Sequence, residues 1–436
     1  ELNEFNEKIY EEYIKTAKKL LKDTKDSEFD ESHFITNYDD FKIYFSYFSE
    51  FKKIVEIIRN VKSIRINPGI YYLIENVLYK LEKDIKFIIF TNFEIACAYY
   101  DFSKLLSEFH ESYKNGGLVD YPIFSIPFFN QNEIFLSSTL SHEIGHFFED
   151  KFKIWEKLNE ELVKKIFENP EIQNEIKSEY EERKLEEYES DKDILFNLAK
   201  SEVIDAWLNK IRQWVKEIIA DIIGLKIFGL PFFFGFVQII LINFPDRTAK
   251  MDYPPPWLRF KYLYEIVKEE DYLEHTKGQK IEIKSLNDSQ LEIDIYSELN
   301  EYFEGFRSFF EKIENEQQIT YNKFEIEQTI IDPINFKDQI IENLDEIFTE
   351  NNIRKYVYTE DNIEEIKALF ELIVNYITPN EIIKTDSKES QPAEILNILN
   401  AGWMFLLFSI DEHYKIFDKT KENYKEIPEI HQKLNN

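Results

Sequence analysis

Residues 138–148 read STLSHEIGHFF, an apolar stretch that carries two histidines four residues apart and a glutamate beside the first. In an α-helix, positions i and i+4 lie on the same face, so the imidazoles of His142 and His146 are predicted to point at one ion. Glu143 is rotated by about 100° from His142 and can reach a water molecule held there. The stretch therefore predicts a helix that carries a metal site.

The spacing is the HExxH pattern of zinc hydrolases, in which the glutamate acts as general base. The sequence has only 7 histidines among 436 residues, so a chance occurrence of the pattern is improbable. The alternative is a pair of core histidines satisfied by neighbouring groups. A metzincin would place glycine and histidine where this chain has Glu149 and Phe152, which excludes that class and puts the third ligand further along the chain.

The third ligand is predicted in residues 214–224, which read WVKEIIADIIG. Glu217 and Asp221 are again four residues apart, and nearly all of their neighbours are apolar, where an unpaired charge is costly. We interpret Glu217 as the third metal ligand and Asp221 as the hydrogen-bond acceptor that orients a ligand histidine. The alternative is a helix with two surface acids, as in the charged run that contains Glu187 and Asp191.

A third motif, residues 252–260 with the sequence DYPPPWLRF, contains three consecutive prolines. These are expected to hold the backbone extended and rigid, with Tyr253 and Arg259 at the two ends of a short rod that forms a cleft wall. Either side chain would then stabilise an oxyanion during catalysis. The alternative is a stiff loop in which Arg259 pairs with one of the many acids.

Together the three motifs resemble the gluzincin metallopeptidases, in particular the Ste24/HtpX-like branch. The resemblance covers about residues 138–259, and Tyr253 stands where that branch has a histidine, six residues before its arginine. It implies a zincin-like core and one zinc ion per chain, held by the two motif histidines and Glu217. The implied reaction is hydrolysis of peptide bonds by a metal-activated water, with Glu143 as general base.

The alternative function is a non-catalytic zincin-like scaffold that binds a peptide or protein partner. Glu143 favours the enzyme, because a purely structural metal site needs no general base. In both cases the expected partner is a peptide or a protein. The net charge of −31, from 84 acidic and 53 basic residues, argues against nucleic acid and against an anionic membrane surface, since both require clustered positive charge.

We expect a mainly α fold of the α+β class, in which the resemblance implies a zincin-like core with a small sheet and helical lobes flank that core. Only 10 glycines and 13 prolines occur, so turns are few and long helices are favoured. The single cysteine, Cys97, precludes internal disulfides and fits a cytoplasmic location. Residues 227–244 approach the length of a membrane span, but Pro231 and two nearby glycines favour a buried core helix.

Apolar periodicity and charge runs divide the chain into three predicted regions. These are an N-terminal helical region over residues 1–85, a zincin-like catalytic domain over 86–275 with a charged helical insertion at about 150–200, and a C-terminal helical accessory lobe over 276–436. Within the catalytic domain, residues 118–127 carry Pro122 and Pro127. They are expected to form an edge strand that aligns an extended substrate by strand addition.

Overall fold

The computed structural model describes residues 68–81, 85, 87–92, 97–101, 122–127, 139–186, 192–242, 253–270, 272–284, 290–321, 330–331, 333–374, 381–383 and 390–419. All of them lie in the unit Arg65–Asn436. Most of the predicted N-terminal region, residues 1–85, falls outside the described residues, and the predicted domain boundaries stay predictions.

Helices form most of the described chain, as the composition predicts. In chain order they are α1 (Pro68–Leu81), α2 (Leu140–Phe152), α3 (Ile154–Glu168), α4 (Pro170–Glu186), α5 (Lys192–Phe228), α6 (Leu230–Ile242), α7 (Pro256–Glu269), α8 (Ile295–Tyr321), α9 (Pro333–Glu350), α10 (Glu360–Val374) and α11 (Ile395–Lys419). A short 3-10 helix, Glu274–Thr276, follows α7.

The described strands are short and form small sheets. They are β1 (Ile88–Asn92), β2 (Ala98–Asp101), β3 (Pro122–Pro127), β4 (Lys280–Lys284), β5 (Gln290–Asp294), β6 (Glu381–Ile383) and β7 (Ser390–Pro392). The first three form one sheet in the order β1-β3-β2, whereas β4 pairs with β5 and β6 with β7. The fold is therefore mainly α with a small three-stranded sheet, as predicted.

Strand β3 lies in the centre of the three-stranded sheet and not at its edge. It pairs in parallel with β1 and antiparallel with β2, so that Phe124 lies opposite both Ile89 and Tyr99. The edge-strand prediction is therefore wrong for residues 122–127. Pro122 and Pro127 occupy the first and last positions of the strand, which leaves the N–H groups between them available to both neighbours.

Helix α2, which carries the HExxH motif, lies between the three-stranded sheet and α5. On the sheet side, the rings of Tyr99 and Phe147 lie with their centroids 6.0 Å apart. On the other side, α5 is buried along almost its whole length from Trp214 to Phe228. A helix that is apolar on most of its faces is buried, so this part of α5 lies in the core.

The described part of the apolar run, residues 227–242, is divided between two helices. Helix α5 ends at Phe228, Gly229 adopts a positive φ of 69°, and α6 begins at Leu230. This left-handed conformation costs glycine little, and Pro231 is favourable in the first turn of the new helix. Its residues up to Ile240 are buried or half-buried, as predicted. Within the described part of the chain, we find no helix whose length and apolar character suffice to cross a bilayer.

The proline motif is extended only over its first part. Pro255 is the N-cap of α7, with φ −55° and ψ 140°, and Pro256 is the first helical residue. Proline suits this position because its missing N–H would have no partner there and its φ already fits the helix. Arg259 therefore lies on the first turn of α7, and the prediction that it ends an extended rod is wrong.

Candidate metal centre

Two imidazoles meet on one face of α2, as the i and i+4 spacing predicts. The Nε2 atoms of His142 and His146 lie 3.1 Å apart. Their side chains are 15% and 22% exposed, so the nitrogens are shielded but still accessible to solvent. Both imidazole rings thus direct their Nε2 atoms toward a common point.

The Glu217 carboxylate reaches the same point from α5. Its Oε2 lies 3.2 Å from the Nε2 of His142, and its Oε1 lies 3.4 Å from the Nε2 of His146. One donor atom from each of these three residues lies within 4.8 Å of the other two, and no other group of this kind occurs among the described residues. The structure therefore brings together all three residues that the sequence nominates as ligands.

The Oε2 atom of Glu217 is buried, and no hydrogen bond from the described residues reaches it. The nearby Nε2 of His142 and Nη1 of Arg259, at 3.2 and 3.6 Å, lack the required geometry or distance. A buried carboxylate oxygen in this state is costly, and a cation at the common point would satisfy it. The donor set thus fits a metal ion on an observation that is independent of the sequence motif.

Asp221 holds the other ring nitrogen of His142. Its Oδ1 lies 2.8 Å from the Nδ1 of His142, at 1% exposure of the aspartate side chain. We assign the Nδ1 proton to this hydrogen bond, which leaves Nε2 as the atom that can bind a cation. The sequence predicted that Asp221 orients a ligand histidine, from its spacing to Glu217 and the apolar residues around both acids.

Arg259 binds the same carboxylate. Its Nε donates to Oδ2 of Asp221 at 2.6 Å and its Nη2 donates to Oδ1 at 2.7 Å, a bidentate pair. The guanidinium also lies 5.1 Å from the ring centroid of Phe236 on α6. Such two-point binding fixes orientation as well as charge. Arg259 therefore orients Asp221, which in turn orients His142.

The charges of the site favour a cation at the point where the donor atoms meet. Burial on its own would lower the pKa of His142, but the carboxylates of Asp221 and Glu217 raise it to about 10. Burial would raise the pKa of Glu217, yet the two imidazoles hold it well below its usual value. For Asp221, burial is likewise outweighed by Arg259, so its pKa is lowered. Both acids are thus ionised at neutral pH.

Glu143 lies on the same helix, next to His142, and is 9% exposed. Burial raises the pKa of its carboxyl group, and the backbone N–H of Tyr99 on β2 donates a hydrogen bond to it. A carboxylate with a raised pKa is a better proton acceptor. The hydrogen bond also places Glu143 beside β2, which is an edge strand of the sheet.

Small residues allow α2 and α5 to approach closely enough for these contacts. A Cβ at Gly145 would lie 2.5 Å from the backbone oxygen of Ala220 and 2.6 Å from its Cα. One turn away, a Cβ at Gly224 would lie 3.0 Å from Oγ of Ser141. Backbones can come this close only where side chains are minimal. Gly145 therefore sets the distance between the two helices that supply the donor atoms.

Tyr253 lies before the prolines and is 51% exposed. It is close enough to Arg259 to influence the pKa of the guanidinium, after the larger effects of burial, Asp221 and Glu217. The two residues of the third motif thus lie in different settings. Arg259 is bound by Asp221, whereas about half of the Tyr253 side chain faces solvent.

Two features of the site are not predicted by the sequence. The backbone N–H of Tyr99 carries no signal in the amino-acid sequence, because every residue except proline has such a group. The contact of Gly145 with Ala220 has a local signal, a small residue between the two histidines, but its partner helix is known only from the structure.

No protein-family model matches this sequence, and no curated protein or solved structure matches it either. The geometry of the donor atoms and the three sequence motifs are therefore the basis on which a function is proposed.

Proposed function

We propose that the chain is a zinc-dependent metallopeptidase of the gluzincin type, whose zincin-like core comprises the three-stranded sheet, α2 and α5. The observation that carries the proposal is the meeting of two imidazole Nε2 atoms with the Glu217 carboxylate, while Asp221 holds the remaining nitrogen of His142. Two histidines and a glutamate are a donor set of catalytic zinc sites, which keep a further position open. Zinc, when bound, supplies Lewis-acid chemistry that polarises a carbonyl group and acidifies water.

Glu143 is proposed as the general base. Its carboxylate lies next to the ligand histidines and is buried, which raises its pKa and strengthens it as a proton acceptor. In the proposed reaction it takes a proton from the attacking water and delivers it to the leaving amine. These two proton transfers need no other acid or base from the chain.

The proposed substrate is an extended peptide or a segment of a protein. Among the described strands, β2 pairs only with β3, and its residue Tyr99 donates its N–H to Glu143. A peptide that adds to this edge would pass beside the general base. The aligning strand is thus proposed to be β2, in place of the segment 118–127 that the sequence suggested.

The two residues of the third motif are proposed to have different roles. Arg259 uses Nε and Nη2 to hold Asp221, so we assign it the task of orienting the ligand histidine through that acid. Tyr253 is half exposed and close to the guanidinium, so it is the candidate for the hydrogen bond to the oxyanion.

Metal content is the first test. Elemental analysis of the purified protein should give about one zinc per chain, and the His146→Ala variant should lose it, because only two protein ligands would remain. If the wild-type protein takes up no zinc even when it is dialysed against the metal, the proposed site is wrong.

Glu143→Gln is the second test, and it separates the enzyme from the non-catalytic scaffold. The variant should bind zinc as well as the wild type but cleave peptides at least about 100-fold more slowly, because general-base catalysis is lost. A peptide library digested with each protein and read by mass spectrometry measures the difference. Equal cleavage by the two proteins would exclude the mechanism, and zinc binding without cleavage by either would favour the scaffold.

A further inference from the structure

A second polar contact joins the two ligand-bearing helices, and the proposed reaction does not use it. The Nζ of Lys216 on α5 lies 2.5 Å from Oε2 of Glu149 and 3.1 Å from Oδ1 of Asp150, both on α2. Only 16% of the Lys216 side chain and 3% of the Glu149 side chain are exposed. Charged side chains are rarely buried this deeply unless they are paired, because an isolated buried charge is costly.

This contact lies close to the proposed ligands along both helices. Lys216 immediately precedes Glu217, and Glu149 follows His146 by three residues, which is almost one helical turn. The Asp221–Arg259 pair holds the ligands on the His142 side. The contact of Lys216 with Glu149 and Asp150 therefore lies on the His146 side.

The contact between Gly145 and Ala220 cannot by itself fix how far one helix lies along the other. Small residues permit a close approach, but they present no bulky side chain that interlocks with the partner helix. A buried ion pair of defined length can specify such a register, which is the best-attested use of buried charges. A shift of α5 by 1 Å would be a large change at a site where His146 and Glu217 lie 3.4 Å apart.

We propose that Lys216 is a positioning residue. Through Glu149 and Asp150 it fixes the position of α5 along α2, and so the position of Glu217 relative to His146. This inference rests on the proposed function, because it concerns the same donor atoms. Among the described contacts, Lys216 touches none of these donor atoms, so it acts by fixing the helices and not by binding the metal.

The test compares zinc affinity and stability in three variants of the full chain. Lys216→Met removes the cation and leaves Glu149 unpaired. Lys216→Met/Glu149→Met replaces the buried pair by apolar side chains of similar size, which restores stability in other proteins. Lys337→Met is the matched control, because Lys337 on α9 is a buried lysine, 6% exposed, that pairs with Glu269 outside the metal site.

Zinc affinity is measured by competition with a chromophoric chelator, and the ligand geometry by the visible absorption of the cobalt(II)-substituted protein. We expect the double variant to unfold close to the wild-type temperature and yet to bind zinc about 10-fold more weakly, with an altered cobalt spectrum. Lys337→Met should keep the wild-type affinity and spectrum.

The inference is overturned if the double variant binds zinc with wild-type affinity, or if Lys337→Met weakens zinc binding to the same extent as Lys216→Met. Both results would leave the proposed function intact. A wild-type protein that binds no zinc would instead remove the proposed function and this inference with it.

Discussion

At the scale of single residues, the candidate site depends on which nitrogen of His142 is available. Asp221 occupies Nδ1, and Arg259 occupies both oxygens of Asp221, so Nε2 is the nitrogen that meets Glu217. Arg259, Asp221 and His142 are all largely buried, so their side chains have little freedom to move relative to one another. A substitution of Asp221 should therefore alter zinc affinity.

We predict that Asp221→Asn lowers zinc affinity by about 10- to 100-fold, because an amide neither neutralises Arg259 nor accepts as strongly from His142. Chelator competition measures the change. Asp205→Asn is the control, since Asp205 lies on the same helix but is exposed. Should the two variants bind zinc equally well, Asp221 does not orient His142.

At the scale of secondary-structure elements, the site depends on the close approach of α2 and α5. Local spacing places the two histidines on one face of α2 and Glu217 with Asp221 on one face of α5, but the distance between the helices depends on Gly145 and Ala220. The helical spacing predicts which side chains share a face of each helix. It contains no information on the distance between α2 and α5.

We predict that Gly145→Ala destabilises the protein by about 1–3 kcal/mol, because its Cβ would overlap the backbone of Ala220 and force the helices apart. Zinc binding should weaken as well, since the ligands lie on opposite helices. Thermal unfolding with and without zinc measures both effects.

Gly305→Ala on α8 is the matched control. A Cβ at Gly305 would meet no atom within 4 Å, so this change should raise stability by up to about 1 kcal/mol through helix propensity. An unchanged unfolding temperature for Gly145→Ala would mean that α2 and α5 can separate at no cost, contrary to the close contact of Gly145 with Ala220.

At the scale of the whole molecule, a buried lysine connects the core to later parts of the chain. Lys226, near the end of α5, is 0% exposed, and its Nζ lies 2.5 Å from Oε1 of Glu270 and 3.1 Å from Oδ1 of Asp345. Its backbone oxygen also accepts from the N–H of Tyr356 at 2.8 Å. One residue thus joins α5 to the end of α7, to α9 and to the segment that follows α9.

We predict that Lys226→Met lowers the free energy of unfolding by about 2 kcal/mol. The loss should stay below the cost of breaking a fully buried pair, because Glu270 and Asp345 are 30% and 40% exposed and keep part of their hydration. Urea-induced unfolding measures the change.

Lys277→Met provides the comparison for this prediction. Lys277 pairs with Glu274, but both side chains are about half exposed, so its removal should cost less than about 1 kcal/mol. Equal losses for the two variants would show that burial of Lys226 contributes nothing to the connection.

The sequence by itself determined the parts of the site that depend on local geometry. The spacing of His142 with His146, and of Glu217 with Asp221, is read directly from the helical repeat, and the structure brings these residues together. The mainly helical class follows in the same way from composition, because few glycines and prolines leave long uninterrupted helices.

Only the tertiary structure decided which strand forms the edge beside α2, that Arg259 binds Asp221, and that Lys216 reaches Glu149. The proline motif shows the limit most clearly, since its local preference for extended backbone ends where Pro256 becomes the first residue of a helix. These features depend on distances between residues far apart in the chain. Such distances result from the packing of whole elements, and no local pattern of residues encodes them.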